Sequence, residues 1–483
     1  MYEGLSNIYK QRMKLPAQVK RITGTLNGQA ITGKNIIKNS AKIVRQCSDN
    51  NDIQIGQVYV GQLNITLKNI SDIVSWKELK GKEIVLYEGL YIDRENEKEE
   101  SYWDDILLGH FFINDSPSTV EGFECVAYDA MSRFSKSMDL GSNTSGTLYY
   151  FINLACTRCD VELGMTQAQI TSMPNGNELH EIHPDNDMDE YRDLISWCAQ
   201  TMGTNAIINR QGKLVFQSYN DLNSVVETFI AKDRIGNSGR CSSFESFYTG
   251  ISMVNISEST TSYYNITPDN GLTMNLGSNP LLQLTEGETE EQLEVKRRRI
   301  LSALSNINYT PFSNIRLHRP GVYDLMDVIK LSGGIIGEGV EIYGCITKYE
   351  WSLLGGLKIS GAGANPALAS AKSKTDKNIV GLVSTNKETK SDISNIKETV
   401  SQQTIDISSK QNFIDQFIDY PPAIGSQGDL CFIGLNGNVS KEFWRYDSIE
   451  GWVRVLPNIT YGTADMQPGD ALPTGVIYLQ YEE

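Results

Sequence analysis

Between Ile379 and Phe417 the chain keeps one seven-residue phase through six heptads, and this repeat constrains it more than any other stretch. With Ile379 at heptad position a, the a series is Ile379, Asn386, Ile393, Val400, Ile407 and Ile414. The d series is Leu382, Thr389, Ile396, Gln403, Lys410 and Phe417. Five of the six a positions are β-branched and apolar, with Lys, Glu, Ser, Asp and Asn between them. A lone helix this polar is marginal in water, whereas one whose narrow strip is buried against copies of itself holds. Ile at both a and d, as at Ile393 and Ile396, favours three strands or more, while Asn386, Thr389 and Gln403 cost stability and fix register. The pattern predicts a parallel trimeric coiled coil about 60 Å long at 1.5 Å per residue. The competing expectation is one amphipathic helix packed on its own domain.

A chain of 483 residues leaves room for three or four domains. No run approaches the roughly 18 apolar residues of a membrane span. The opening MYEGLSNIYKQRMKLPAQ lacks the apolar core of a signal peptide, so synthesis in a cytoplasm is expected. The net charge of −16 argues against clamping nucleic acid, yet an acidic wall lets DNA slide past. Up to Ser48 there are nine Lys or Arg and a single acid, Glu3. Such a basic stretch docks on an acidic partner, docks on the chain's own acids, or forms a solvated edge. The eight cysteines are scattered, as reduced and mostly buried thiols are.

Taken in order, residues 1–140 read as a first β domain, with Asn27–Gly28 as a hairpin turn. Residues 141–219 read as a small α+β unit. There Leu148, Phe151, Ile152 and Ala155 form a helical stripe. A second helix follows with Asp189 as N-cap, a stripe of Leu194, Ile195, Trp197 and Cys198, and Gly203 as stop. Residues 220–364 return to strands, interrupted by one helix with a Glu294–Arg298 pair. Residues 365–419 form a linker and the coiled coil, and 420–483 a small β module. In that module FWRYDSIEGWVRV is a hairpin.

The candidates for chemistry each have a plainer explanation. Cys156, Cys159, His180 and His183 compose a four-ligand zinc set on paper, but the cysteines fall within a helical stripe rather than a knuckle turn. Asp185, Asp187 and Asp189 alternate like a calcium loop, with Glu190 where such a loop needs Gly. With four histidines, a Ser or Cys triad would have to use His110, His180, His183 or His318. No cofactor and no catalytic residue is assigned. Trp444, Tyr446 and Trp452 are ligand-binding candidates that could stack on sugar rings, although core packing is the commoner use of hairpin tryptophans.

Two stretches, DEYRDLISWCAQTMGTNAIINRQGKLVFQSY and YDLMDVIKLSG followed by VEIYGCITKYEWSLLGGLKISGAGA, stand behind ECVAYDAMSRFSKSM. Together they resemble the baseplate or tail-tip hub proteins of tailed phages, the tail-associated or minor tail proteins, from about Gln18 to Ala364. That resemblance implies a homotrimer with two β-barrel-like domains per subunit. It also implies docking on a hexameric tail-tube or distal tail protein, contact with the tape-measure protein and with fibre or tip proteins, and a bore through which DNA passes unread. The virion tail tip is the implied location. Many members carry a cell-wall hydrolase after the hub; here the coiled coil and β module stand in its place. A receptor-binding fibre, with the end module holding a host-surface glycan, is the alternative expectation, and a hydrolase a more distant one.

Overall fold

The computed structural model describes residues 2–366 apart from 3, 49–51, 94–99, 142–143, 185, 187, 237, 306 and 333–338, and, farther on, the strands between 413 and 480. The chain forms two compact units, Met1–Ser373 and Lys374–Glu483.

The first unit opens with α1 (Asn7–Arg12), where the Ser6 hydroxyl accepts from the Tyr9 N–H at 3.0 Å. Seven strands follow: β1 (Lys20–Leu26), β2 (Gln29–Ile31), β3 (Lys42–Gln46), β4 (Gln62–Leu67), β5 (Glu83–Ile92), β6 (Tyr102–Asp115) and β7 (Phe123–Tyr128). Asn27 and Gly28 have φ of 50° and 79°, the positive values that a two-residue I′ hairpin turn demands. In β4 the inward residues Leu63, Ile65 and Leu67 alternate with half-buried neighbours, so one face of the sheet meets the core.

The α+β segment contributes β8 (Ser145–Thr147), α2 (Leu148–Cys159), α3 (Gln167–Thr171), β9 (Leu179–Glu181), α4 (Tyr191–Thr201), β10 (Asn205–Ile208) and β11 (Leu214–Gln217). Leu148, Phe151, Ile152 and Ala155 of α2 are buried with Leu194, Ile195 and Cys198 of α4 in a cluster of their own. Helix α4 begins one residue later than the sequence predicts. The Asp193 carboxylate accepts from the Asp189 and Glu190 N–H groups at 3.1 and 3.0 Å, so an acid inside the first turn does the capping assigned to Asp189. Gly203, at φ 67°, ends the helix as expected.

The last segment of the unit contains β12 (Val225–Phe229), β13 (Arg240–Cys241), β14 (Ser246–Asn255), β15 (Thr260–Asn265), β16 (Leu272–Asn275), α5 (Glu290–Leu304), β17 (Asn308–Tyr309), β18 (Phe312–Leu317), β19 (Val328–Leu331), β20 (Ile342–Cys345), β21 (Lys348–Ser352) and β22 (Gly356–Gly361). Four of these strands continue the sheet of the first segment. The order is β13-β18-β22-β21-β3-β4-β7-β6-β5-β1-β2, eleven strands in all. The join is antiparallel, with Lys348 opposite Gln46 and Ser352 opposite Lys42. Ile43, Leu86 and Phe111 from one side share a single apolar core with Ile315, Trp351 and Ile359 from the other. Strands from both segments expected to be barrel-like thus share one open sheet, and no barrel closes among the described residues. The ends of the sheet are strands of three and two residues, β2 and β13, too short to template further pairing. Two smaller sheets, β12-β19-β20 and β15-β14-β16 with β17 on β14, complete the segment.

In the second unit β23 (Phe413–Ile418), β24 (Leu430–Gly434), β25 (Ser440–Asp447), β26 (Gly451–Gly462) and β27 (Val476–Gln480) form a five-stranded sheet in chain order. Strand β23 runs parallel to β24, with Ile414 opposite Cys431. This corrects the end of the heptad reading: Ile414 and Phe417 sit on a strand. Phe413, Ile414, Phe417 and Ile418 are aromatic or β-branched residues that favour a pleated, half-buried surface once a partner strand is beside them. The other seam positions, Ile379, Leu382, Asn386, Ile393, Ile396, Val400, Gln403 and Ile407, lie outside the described residues.

Candidate functional site

The zinc set does not assemble. Cys156 and Cys159 face the buried cluster from the last turns of α2. Burial pushes the Cys156 thiol up to about 12, against the thiolate a metal needs. The His180 ring lies between two carbonyl oxygens, Nδ1 3.0 Å from Leu281 and Nε2 3.1 Å from Asn175. Loss of solvation holds its pKa below the ordinary histidine value. His183 instead contacts Ser257 Oγ through Nε2 at 3.0 Å on the exposed turn between β14 and β15. Among the described residues, no group of three His, Cys, Asp or Glu is placed to hold a metal ion. The calcium-like acids Asp185 and Asp187 lie outside the described residues, and Asp189 contributes a backbone N–H to the α4 cap.

The remaining histidines lie apart from this set. His110 Nδ1 lies 2.8 Å from Glu83 Oε1, and His318 follows the end of β18. A surface groove of about 780 Å³ runs between the 177–179 loop and α5. Its two cations are already matched, Lys296 with Glu288 at 2.6 Å and Arg299 with Glu178 at 2.5 Å.

Part of the basic N-terminal stretch pairs within the molecule. Lys14 pairs with Glu227 at 2.8 Å, Lys20 with Glu88 at 3.2 Å, Arg21 with Asp105 at 2.5 Å and Lys42 with Glu350 at 2.8 Å. Four of the nine cations thus dock on the chain's own acids, while Lys10, Lys34 and Lys38 are exposed. Arg210, on the β10–β11 turn, reaches across in the same way. It donates to Asp324 Oδ1 at 2.7 Å and to the carbonyls of Leu107, Gly321 and Tyr323 at 2.9, 2.7 and 2.9 Å. A guanidinium making four hydrogen bonds thus ties the α+β segment to both flanking β segments. Nothing in the local pattern around Arg210 separates it from a solvated turn cation, so sequence reasoning missed it. Arg297 of α5 was missed for the same reason; it is buried and donates to Leu282 O and Asn255 Oδ1.

The described side chains leave one of the sequence candidates as a surface. On the β25–β26 hairpin, Tyr446 pairs across with Trp452 and Trp444 with Arg454. The Tyr446 and Trp452 rings meet edge to face, with centroids 5.4 Å apart at 75°. All three aromatic residues are half-buried and Arg454 is exposed. The structure therefore brings together the aromatic trio singled out from sequence and adds a cation to it. Arg454 was legible in principle, since WRY…WVR places it across from Trp444 once the turn is fixed at 448–450.

No family model and no curated protein matches the sequence. By structure the chain is similar to the 43 kDa tail protein of prophage MuSo2 from Shewanella oneidensis, at 11% identity over 72% of this chain and 99% of that one, with a TM-score of 0.42. It is similar to a tail protein from Neisseria meningitidis MC58, at 9% identity over 72% and 99%, TM-score 0.42. It is also similar to the prophage tail protein gp18 from Listeria monocytogenes EGD-e, at 11% identity over 74% and 98%, TM-score 0.41. Among the described residues no helix is long and apolar enough to cross a membrane.

Proposed function

We propose that this chain is the structural hub of a phage tail tip. Three copies close the end of the tail tube, match its hexameric end to threefold tip parts, and leave a bore through which DNA leaves the virion. Its partners are a second and third copy of itself, a hexameric tube or distal tail protein, the tape-measure protein, and fibre or tip proteins. The work is assembly and gating, without bond chemistry. The observation that carries this reading is the join of β3 to β21. It gives the two β segments one continuous sheet and one core, which supports a block repeated as a unit in a collar. The heptads of 379–407 support a three-chain stalk behind it. The overall charge suits a conduit for a polyanion that is not to be held.

Light scattering and low-resolution imaging of the purified protein test this directly. A threefold ring with a central opening is the expected result. A solitary or paired molecule with no opening overturns it. A second reading, a receptor- or glycan-binding tip, is favoured by the half-exposed aromatic row on the β25–β26 hairpin.

A further inference from the structure

Helix α5 leaves one flank uncovered. The groove between it and the 177–179 loop holds two aliphatic side chains in the open, Leu179 at 69% and Val295 at 46% exposure, and exposed Leu284 precedes the groove-lining Thr285. Acids surround them. Glu286 and Glu291 line the groove, Glu290 lies beside them, and all three are exposed. The helix start does not use these acids: the Thr289 hydroxyl accepts from the Gln292 N–H at 3.3 Å, and the Gln292 side-chain oxygen accepts from the Thr289 N–H at 2.9 Å. The two cations of the groove are taken by Glu288 and Glu178, so Glu286, Glu290 and Glu291 are left without an ion pair among the described residues. An aliphatic floor with an acidic rim fits a basic segment that carries aliphatic side chains of its own.

The chain displays such a segment elsewhere. From Lys10 to Val19 it reads KQRMKLPAQV, with no acid. Met13 is buried, while Leu15 and Val19 face outward at 43% and 61% exposure. Lys10 is exposed and in no ion pair among the described residues; Lys14 pairs with Glu227 and still keeps half its side chain in solvent. The two surfaces belong to different parts of the subunit. Val19 sits at the far end of β5, where its carbonyl accepts from the Tyr91 N–H at 2.9 Å. Helix α5 packs beside the end of α4, where a Cβ on Gly203 would lie 2.8 Å from the Ala303 side chain. A ring of identical chains requires such a pair, because a head-to-tail interface joins two different patches of each copy.

We propose that the Lys10–Val19 segment of one copy docks in the α5 groove of the next, its aliphatic residues on Leu179 and Val295 and its cations toward Glu286 and Glu291. The inference rests on the three-copy reading above and names the surfaces through which neighbouring copies meet. The contact is small and carried partly by exposed charge, so it orders bodies that the stalk already holds close together.

Zero-length carbodiimide cross-linking of the full chain tests it, because an amide forms only where a lysine and a carboxylate touch. At low salt, denaturing gels should show covalent dimers and trimers. Mass spectrometry of those bands should join peptides containing Lys10 or Lys14 to peptides containing Glu286, Glu290 or Glu291. Glu286→Lys with Glu291→Lys should weaken the bands about fivefold, and adding Lys10→Glu should restore them through bonds of reversed sense. All these positions are exposed, so the fold should survive, and restoration by the third change excludes a collapsed groove. A particle of threefold mass by light scattering whose cross-links all fall elsewhere overturns this contact and leaves the three-copy reading standing. A particle of single-chain mass removes both. Bands untouched by Glu286→Lys with Glu291→Lys overturn the contact. The same links found only in the single-chain band show the two surfaces meeting within one copy and also overturn it. Links from the groove acids to Lys372, Lys374 or Lys377 assign the groove to the chain's own linker instead.

Discussion

Trp351 Nε1 donates to Glu88 Oε2 at 2.8 Å across 263 residues of chain, and the two residues are 1% and 0% exposed. The same oxygen accepts the Gly321 N–H at 2.7 Å, while the Lys20 ammonium lies 3.2 Å from Oε1 as an ion pair. A buried carboxylate is tolerable only with such company. Glu88→Ala should therefore cost about 3–5 kcal/mol, because it strands an indole N–H, a backbone N–H and an ammonium in the core. Trp351→Phe removes one donor and should cost about 1–3 kcal/mol. Urea midpoints with an unchanged m-value would show this; a double mutant whose cost equals the sum of the singles would deny the coupling.

Much of the local structure is legible in the sequence, because its signals are local. Asn27–Gly28 announces a hairpin, and Leu194, Ile195 and Cys198 recur at helical spacing. The decisive join is not legible. Lys42 and Ser352 are partners at a separation no periodicity reports, and β3 looks no different as a barrel strand than as a bridge to β21. The buried arginines are hidden for a related reason, since their partners are backbone carbonyls far away in sequence. At Phe413–Ile418 the failure is one of ambiguity: four apolar residues at spacings of one and three fit a helical stripe as readily as a strand. The aromatic hairpin was readable because its chemistry and its turn lie within fifteen residues.

Across the join, Glu350 on β21 lies 2.8 Å from Lys42 on β3 and 2.9 Å from Lys358 on β22. Burial alone would raise its pKa, but the two ammoniums prevail and hold it at about 2. A depressed carboxylate contributes stability that is present above its unfolded pKa of about 4.3 and lost as pH falls toward 2. The pair is partly solvated, so Glu350→Gln should cost less than about 1 kcal/mol at pH 7 and nothing near pH 2. Thermal melts at pH 7, 4 and 2.5 in low and high salt would check both the sign and the screening.

Asp129 runs the other way. Its carboxylate accepts from the Gly61 N–H at 2.9 Å and the Met131 N–H at 3.1 Å, yet burial pushes its pKa up to about 7 against those bonds and the nearby Arg45. A raised acid contributes stability that is full below about pH 3.9 and lost as pH rises through 7. Asp129→Asn keeps an acceptor and removes the charge. It should flatten the pH 4–7 stability slope, by up to about 1.4 kcal/mol per pH unit. An unaltered slope in the variant would show that the carboxyl does not titrate in that window.

Gly24 lies close against the opposite strand in the β1–β5 ladder. A Cβ there would sit 2.2 Å from the Val85 carbonyl oxygen, a backbone atom of the paired strand that cannot swing aside. Gly24→Ala should cost about 1–3 kcal/mol through displaced pairing. Hydrogen exchange should quicken at β1 and the strand opposite it, and remain unchanged in α2 and α4.

The trimer stands or falls on the heptads that precede β23. A buried carboxylate at an a position faces its own copies around the axis, so three like charges would meet in one layer of the seam. With Ile414 and Phe417 on a strand, Ile393 and Ile407 are the a positions to alter, because both lie clear of β23. Ile393→Asp with Ile407→Asp should reduce the particle mass threefold by light scattering and remove helical signal in circular dichroism. The strand content of the Met1–Ser373 unit, with its own core, should persist. If mass and helicity are both unchanged, the strip is packed on its own chain and the threefold account fails. If mass falls while helicity persists, the helix has a second partner within the subunit, and the stalk is secondary to contacts in the β body.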